Sequence, residues 1–167
     1  VGDRQVHKYA LPLAQACLEI GSPQLRNRAT LAGNLATASP ANDSISALMA
    51  LGASVVLSRL DDDAVVSREV PVTDFFPGFR ETVCARNELI TAIRVPKLAA
   101  NERGIWVKVG LRRAQAISVV HAALVLELGG GQVQKARLSI GAVAPTVIMN
   151  HVFPAALEGY ALTDDRI

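Results

Sequence analysis

The stretch from Gly21 to Asp43, GSPQLRNRATLAGNLATASPAND, constrains this chain more than any other. It has no sustained period of two or of 3.6 residues and is crowded with Gly, Ser, Thr, Asn and Pro. It therefore reads as a long ordered loop, not as a strand or an amphipathic helix. A loop of about twenty residues inside a compact domain calls for a functional reason. Thr30, Gly33 and Asn34 place small residues where backbone N–H groups can approach a ligand, and Thr37, Ser39 and Asp43 add short donors and acceptors. Such a surface suits phosphates and sugar hydroxyls, with amides taking the anion and the Asp43 carboxylate accepting from a hydroxyl. A polar loop that only packs well shares the same composition.

The rest of the chain reads as scaffold. Of 167 residues, 50% are hydrophobic and 19% charged, with a net charge of +2, which is enough apolar material for a packed core and too little net charge for disorder. One domain, or two small ones, is expected. Pro12 to Ile20 predicts a short amphipathic helix stopped at Gly21, and Asp43 is the expected N-cap of a helix over Ser44 to Leu51 that ends at Gly52. Ser54 to Arg59 and Ala64 to Val70 read as strands around the acidic turn Leu60 to Asp63, and Val72 to Phe79 as a helical turn broken at Pro77. Glu88 to Val95 and Gly104 to Leu111 are further strands. Ile117 to Leu128 and Gln132 to Val143 form a hairpin about Gly129 to Gly131, and Pro154 to Tyr160 is a last short helix. The order predicts an α+β fold of mostly antiparallel sheet with short helices. The polar run Pro96 to Arg103 marks the expected break between residues 1–100 and a smaller α+β part, 101–167.

Several classes of function are excluded at this level. Cys17 and Cys84 stand far apart with no CxxC, so the chain holds no zinc or iron-sulfur site of its own, and two reduced thiols are expected ahead of a disulfide. Basic residues are interspersed with acidic ones, without the stripe that nucleic acid requires. No apolar run reaches the roughly 18 residues of a membrane span, and with two reduced thiols a cytoplasmic protein is expected. His7, His121 and His151 are assigned no ligand role, and His121, inside an apolar strand, reads as a satisfied interior residue. No residue is assigned a catalytic role.

The segment Gln24 to Asp43 resembles a family pattern of the approximate form IRNxATxGGNxxxASPxxD, found in the FAD-binding medium subunit of the molybdenum hydroxylases, the group of carbon monoxide dehydrogenase and xanthine dehydrogenase. DFFPGFRET (Asp74 to Thr82), NELITAIRVP (Asn87 to Pro96), KVGLRR (Lys108 to Arg113) and LSIGAVAPT (Leu138 to Thr146) match in register. The resemblance implies the second lobe of a two-lobed FAD-binding fold. In it, the Thr30 hydroxyl and the Gly33 and Asn34 amides hold the FAD diphosphate, and Asp43 holds ribose or ribityl hydroxyls. Thr37 and Ser39 line the groove, Ile20, Leu89 and Ile90 pack on the rings, and Lys108, with Arg112 as a weaker candidate, lies at the polar edge of the flavin. It further implies electron transfer from two [2Fe-2S] clusters of a small subunit, fed by the molybdopterin centre of a large subunit, through FAD to an external acceptor.

Two departures shape the expectation. Ala32 stands where the pattern has its first Gly and keeps the turn only if its φ is negative. The family's first lobe, with an AGGT-type turn, has no counterpart before Val1, and the start lacks Met, so a processed chain or a fragment, with the first lobe on a separate chain, is expected. The alternatives are a flavin-free domain that docks partner subunits and a stand-alone flavoprotein oxidoreductase.

Overall fold

The computed structural model describes residues 2–112 and 115–161; Val1, Arg113 of the KVGLRR motif, Ala114 and residues 162–167 lie outside them. Five helices come first. α1 (Arg4–Tyr9) is capped by Asp3, whose carboxylate accepts from the amides of Gln5 and Val6. α2 (Leu11–Glu19) follows with Pro12 in its first turn, and Gly21, at φ +53°, takes the chain out of it.

The expected long loop is in fact built around two short helices, α3 (Pro23–Arg26) and α4 (Leu31–Ala36). Each starts on a hydroxyl cap: Ser22 Oγ accepts from the Leu25 amide, and Thr30 Oγ1 from the Gly33 amide. Helices of four and six residues are too short to show a period, which is why the segment reads as loop.

α5 (Asp43–Ala50) is buried along its whole length and forms the centre of the molecule. Asp43 does not cap it as expected. Asn42 holds the N-cap position without a side-chain bond, and Asp43 sits one residue further in, its carboxylate engaged elsewhere.

Two antiparallel sheets flank α5. β1 (Ser54–Asp61), β2 (Ala64–Pro71) and β3 (Leu89–Arg94) make one, in the order β2-β1-β3. β4 (Glu102–Gly110), β5 (Ser118–Gly129), β6 (Gln132–Gly141) and β7 (Ile148–Asn150) make the other, in chain order. A 3₁₀ turn, Val72–Asp74, joins the first sheet to the loop before β3, and α6 (Val152–Leu157) ends the described fold. The α+β expectation holds, while α1 and the three-residue β7 had no sequence counterpart. Both hairpin turns place two residues at positive φ, Asp62 and Asp63 in one and Gly130 and Gly131 in the other, as a tight turn between right-twisted strands requires.

Register decides which side chains meet α5. Lys108 lies opposite His121, which lies opposite Gly141; Trp106 lies opposite Ala123, which lies opposite Ser139. These rows face the helix, and Ser139 Oγ donates to the Ser46 carbonyl at 2.5 Å. One buried apolar cluster runs through Leu13, Leu35, Leu48, Leu57, Phe75 and Val125, so both sheets share their core through α5.

Candidate functional site

α4 begins where the sequence concentrates its polar residues, and its cap sets the geometry. The Gly33 amide donates to Thr30 Oγ1 at 3.0 Å and the Asn34 amide to the Thr30 carbonyl at 3.1 Å. A β-carbon on Gly33 would stand 3.1 Å from Thr30 Oγ1, so the tightness of the cap explains the glycine. Ala32 lies inside the right-handed helix, the condition for an alanine there. The amides expected to hold a diphosphate, those of Gly33 and Asn34, are thus already engaged. The first-turn amides of Leu31 and Ala32 have no acceptor among the described residues.

The polar residues that follow bond chiefly to one another. The Asn34 carbonyl accepts from Thr37 Oγ1 at 2.9 Å and Asn42 Nδ2 at 2.6 Å, Asn42 Nδ2 also donates to Thr37 Oγ1, and Ser44 Oγ donates to Asn34 Oδ1 at 2.5 Å. Ser39 Oγ accepts from the Ala41 amide. Thr37 therefore braces the segment. Arg26, to which the sequence assigns no site role, donates to the carbonyls of Ile20 and Gly21 and so closes the end of α2.

Asp43 joins this segment to the second sheet. Its Oδ2 accepts from Lys108 Nζ at 2.6 Å and its Oδ1 from Ser118 Oγ at 2.6 Å, with the Lys108 and Asp43 side chains only 10% and 6% exposed. Lys108 lies 65 positions away along the chain, and only the fold brings the pair together. Behind Asp43, Ser46 Oγ lies 2.7 Å from His121 Nδ1 and accepts from Trp106 Nε1 at 3.0 Å. His121 Nε2 lies 3.2 Å from the Pro40 carbonyl.

Three hollows adjoin here. One of about 250 Å³, mostly apolar, lies among Leu13, Cys17, Ile20, Thr30, Leu31 and Asn34. A second, of about 320 Å³, is lined by Ile20, Asn34, Ser39, Asp43, Gln115 and Ala116. A third, of about 690 Å³, runs between α2 and β4 past Lys108, Arg112, Gln115 and Ala116. Ile20 and Asn34 are shared by the first two, Gln115 and Ala116 by the last two, so the hollows form a trough from the start of α4, past Asp43, to Lys108.

Ile20, Thr30, Asn34, Ser39, Asp43 and Lys108 line that trough, and Gly33 and Thr37 support it. Leu89 and Ile90 line none of its three hollows, and as neighbours on β3 they point to opposite faces: Leu89 is 73% exposed, while Ile90 packs on the core. Of the residues expected to pack on the rings, Ile20 therefore lines the trough, while Leu89 and Ile90 lie apart from it on β3. Burial pushes the Cys17 thiol up, which leaves it a protonated apolar wall, and Cys17 and Cys84 are unpaired. Among the described residues, no helix is long and apolar enough to cross a membrane.

Known proteins resemble this chain along most of its length. Residues 1–98 match the family described as the FAD binding domain in molybdopterin dehydrogenase, and residues 106–167 match the CO dehydrogenase flavoprotein C-terminal domain. The glyceraldehyde dehydrogenase medium chain of Sulfolobus acidocaldarius is 36% identical, over 96% of this chain and 55% of its own. The nicotinate hydroxylase of Emericella nidulans is 35% identical, over 86% of this chain and 11% of its own. The solved carbon monoxide dehydrogenase of Hydrogenophaga pseudoflava, in a form lacking the Mo-pyranopterin moiety of its molybdenum cofactor, superposes with a TM-score of 0.87 at 32% identity, over 98% of this chain and 55% of that one. This chain thus spans about half the length of the medium chains it matches and about a tenth of the longer enzyme. With more than half of its residues inside the first match, the chain belongs to the family of FAD-binding domains of the molybdopterin dehydrogenases.

Proposed function

We propose that this chain binds FAD as part of a molybdenum hydroxylase and passes electrons from iron-sulfur clusters to an external acceptor. The observation that carries the reading is the continuous trough, which has free first-turn amides at one end and a buried cation at the other. Bound FAD would supply the redox chemistry. The chain's own residues do the holding. The Leu31 and Ala32 amides at the start of α4, beside the hollow that Thr30 and Leu31 line, have unspent donors for an anion. Asn34 and Ser39 line the middle. Asp43 holds Lys108 in place, and Lys108 Nζ, with one of its three N–H groups given to Asp43, has donors left for a ligand atom. Arg112 lines the same end.

On this reading the partners are an iron-sulfur small subunit and a molybdenum large subunit, the setting is the cytoplasm, and residues 1–100 and 101–167 act as two parts around one core. A second reading, a flavin-free docking domain, is favoured by the mutual bonding of Asn34, Thr37, Asn42 and Ser44, which takes up polar groups a ligand could use.

Titration of FAD into the chain, alone and with a polypeptide carrying an AGGT-type glycine turn, separates the two, followed by flavin fluorescence. Asp43→Ala and Gly33→Val are expected to lower FAD occupancy beyond any loss of stability, with occupancy read where circular dichroism shows each variant folded. Full occupancy in both variants overturns the site, and no binding under either condition favours the docking domain.

A further inference from the structure

His121 is 1% exposed and sits at the junction of three elements that shape the trough. From the Pro40 turn, the Pro40 carbonyl lies 3.2 Å from Nε2; from α5, Ser46 Oγ lies 2.7 Å from Nδ1; from β6, Gly141 leaves the room for the ring. A carbonyl only accepts, so Nε2 carries the proton; in the neutral ring Nδ1 then accepts from the Ser46 hydroxyl, which lies 2.7 Å from Nδ1 against 3.4 Å from its other acceptor, the Asp43 carbonyl, and whose own lone pair receives Trp106 Nε1–H. Every polar atom of the cluster is then satisfied by one arrangement of hydrogens, with the imidazole neutral. The Pro40 carbonyl also accepts from the Ala142 amide at 2.9 Å, so the turn is held at this one atom from both β5 and the end of β6. Three residues further on stands Asp43, itself on α5 beside Ser46 and bonded to Lys108 and Ser118.

We propose that His121 is a positioning residue for the FAD site: as a neutral imidazole protonated on Nε2, it clamps the Pro40 turn to β5 and, through Ser46, to α5, and so fixes where Asp43 and Lys108 stand. It touches none of the hollows itself and acts through the residues that do. Burial, the dominant cause, pushes the imidazole below its ordinary pKa of 6.5; of the charged groups that face it, Asp43 on α5 favours the proton and Lys108 on β4 opposes it. Protonation would put a hydrogen on Nδ1, force the Ser46 hydroxyl to turn away, and set a second positive charge beside Lys108.

The inference rests on the FAD reading, and the test separates their failures. In the full chain, imidazole ¹⁵N shifts are expected to show the Nε2-protonated neutral form, with its transition below pH 6.5. FAD affinity should fall as pH drops through that transition. His121→Phe, which fills the space without a donor, should weaken FAD binding about tenfold, and His121→Gln, which restores an N–H toward Pro40, should recover most of it and lose the pH dependence. A proton on Nδ1, or an unaltered affinity and pH profile in His121→Phe, overturns the proposal. If no form binds FAD, the cofactor reading falls, and the ¹³C shift of the Asp43 carboxylate decides in its place. A displacement in His121→Phe that His121→Gln reverses supports positioning, and no displacement in either overturns it.

Discussion

Two ion pairs tie distant parts of this chain together, and they do so in opposite ways. Arg68 grips Glu88 with two parallel bonds, Nε to Oε1 at 2.7 Å and Nη2 to Oε2 at 2.8 Å, and spends Nη2 again on the Val83 carbonyl, while Glu88 Oε2 takes the Ala85 amide as well. The pair consumes its own hydrogen-bonding capacity and pins the loop before β3 to β2. Lys108 and Asp43 meet at one point, in a place where both side chains are nearly sealed from solvent, and the ammonium keeps donors unspent beside an open hollow. A closed pair belongs to the scaffold. An incompletely used pair, held by a hydroxyl from a third element, keeps the donor capacity that the proposed FAD site would draw on.

The sharpest way to break this contrast is to remove one partner of the sealed pair. Lys108→Met leaves the Asp43 carboxylate buried without its cation and is expected to destabilise the fold by about 3–5 kcal/mol in urea unfolding. Adding Asp43→Asn should recover much of that, and a loss no larger than that of a surface charge would show the pair to be solvated. The Arg68 pair is tested by acid. Arg68, and after it the Ala85 amide, hold the Glu88 carboxyl at about 2 against an ordinary 4.5. A depressed carboxylate stabilises the fold above its unfolded value and loses that stabilisation as pH falls toward the folded one. The thermal midpoint should therefore drop between pH 4.5 and 2, and Arg68→Ala should flatten that limb. The smallest effect belongs to Arg59 and Asp61, whose side chains are 36% and 53% exposed; Arg59→Ala should cost no more than about 0.5 kcal/mol.

What could be read from the residues alone follows the range of the interactions. The hairpins, α2 and α5 rest on turn glycines, caps and periods that lie within a few positions of one another, and their observed spans stay within a few residues of expectation. α3 and α4 escaped notice although Ser22-Pro23 and Thr30 are ordinary start signals, because no periodic run follows them. The trough residues Thr30, Asn34, Ser39 and Asp43 were legible as a polar concentration, and the family resemblance is what puts them forward for FAD. Their bonding to one another was not, since a sequence shows donors without showing whom they serve. The alternation of β3, which puts Leu89 and Ile90 on opposite faces, could be read from the strand pattern, whereas their distance from the trough could not. Lys108 and Ser118 met Asp43, and His121 met Ser46, only through register between strands and the seating of α5, which no local pattern encodes.

Gly141 carries one more lesson. A methyl group there would fall 2.1 Å from the His121 ring, well inside contact distance. The two positions therefore cannot drift independently. A descendant that enlarges residue 141 must shrink or evict residue 121 first, so the imidazole and the vacancy beside it are inherited as a single character.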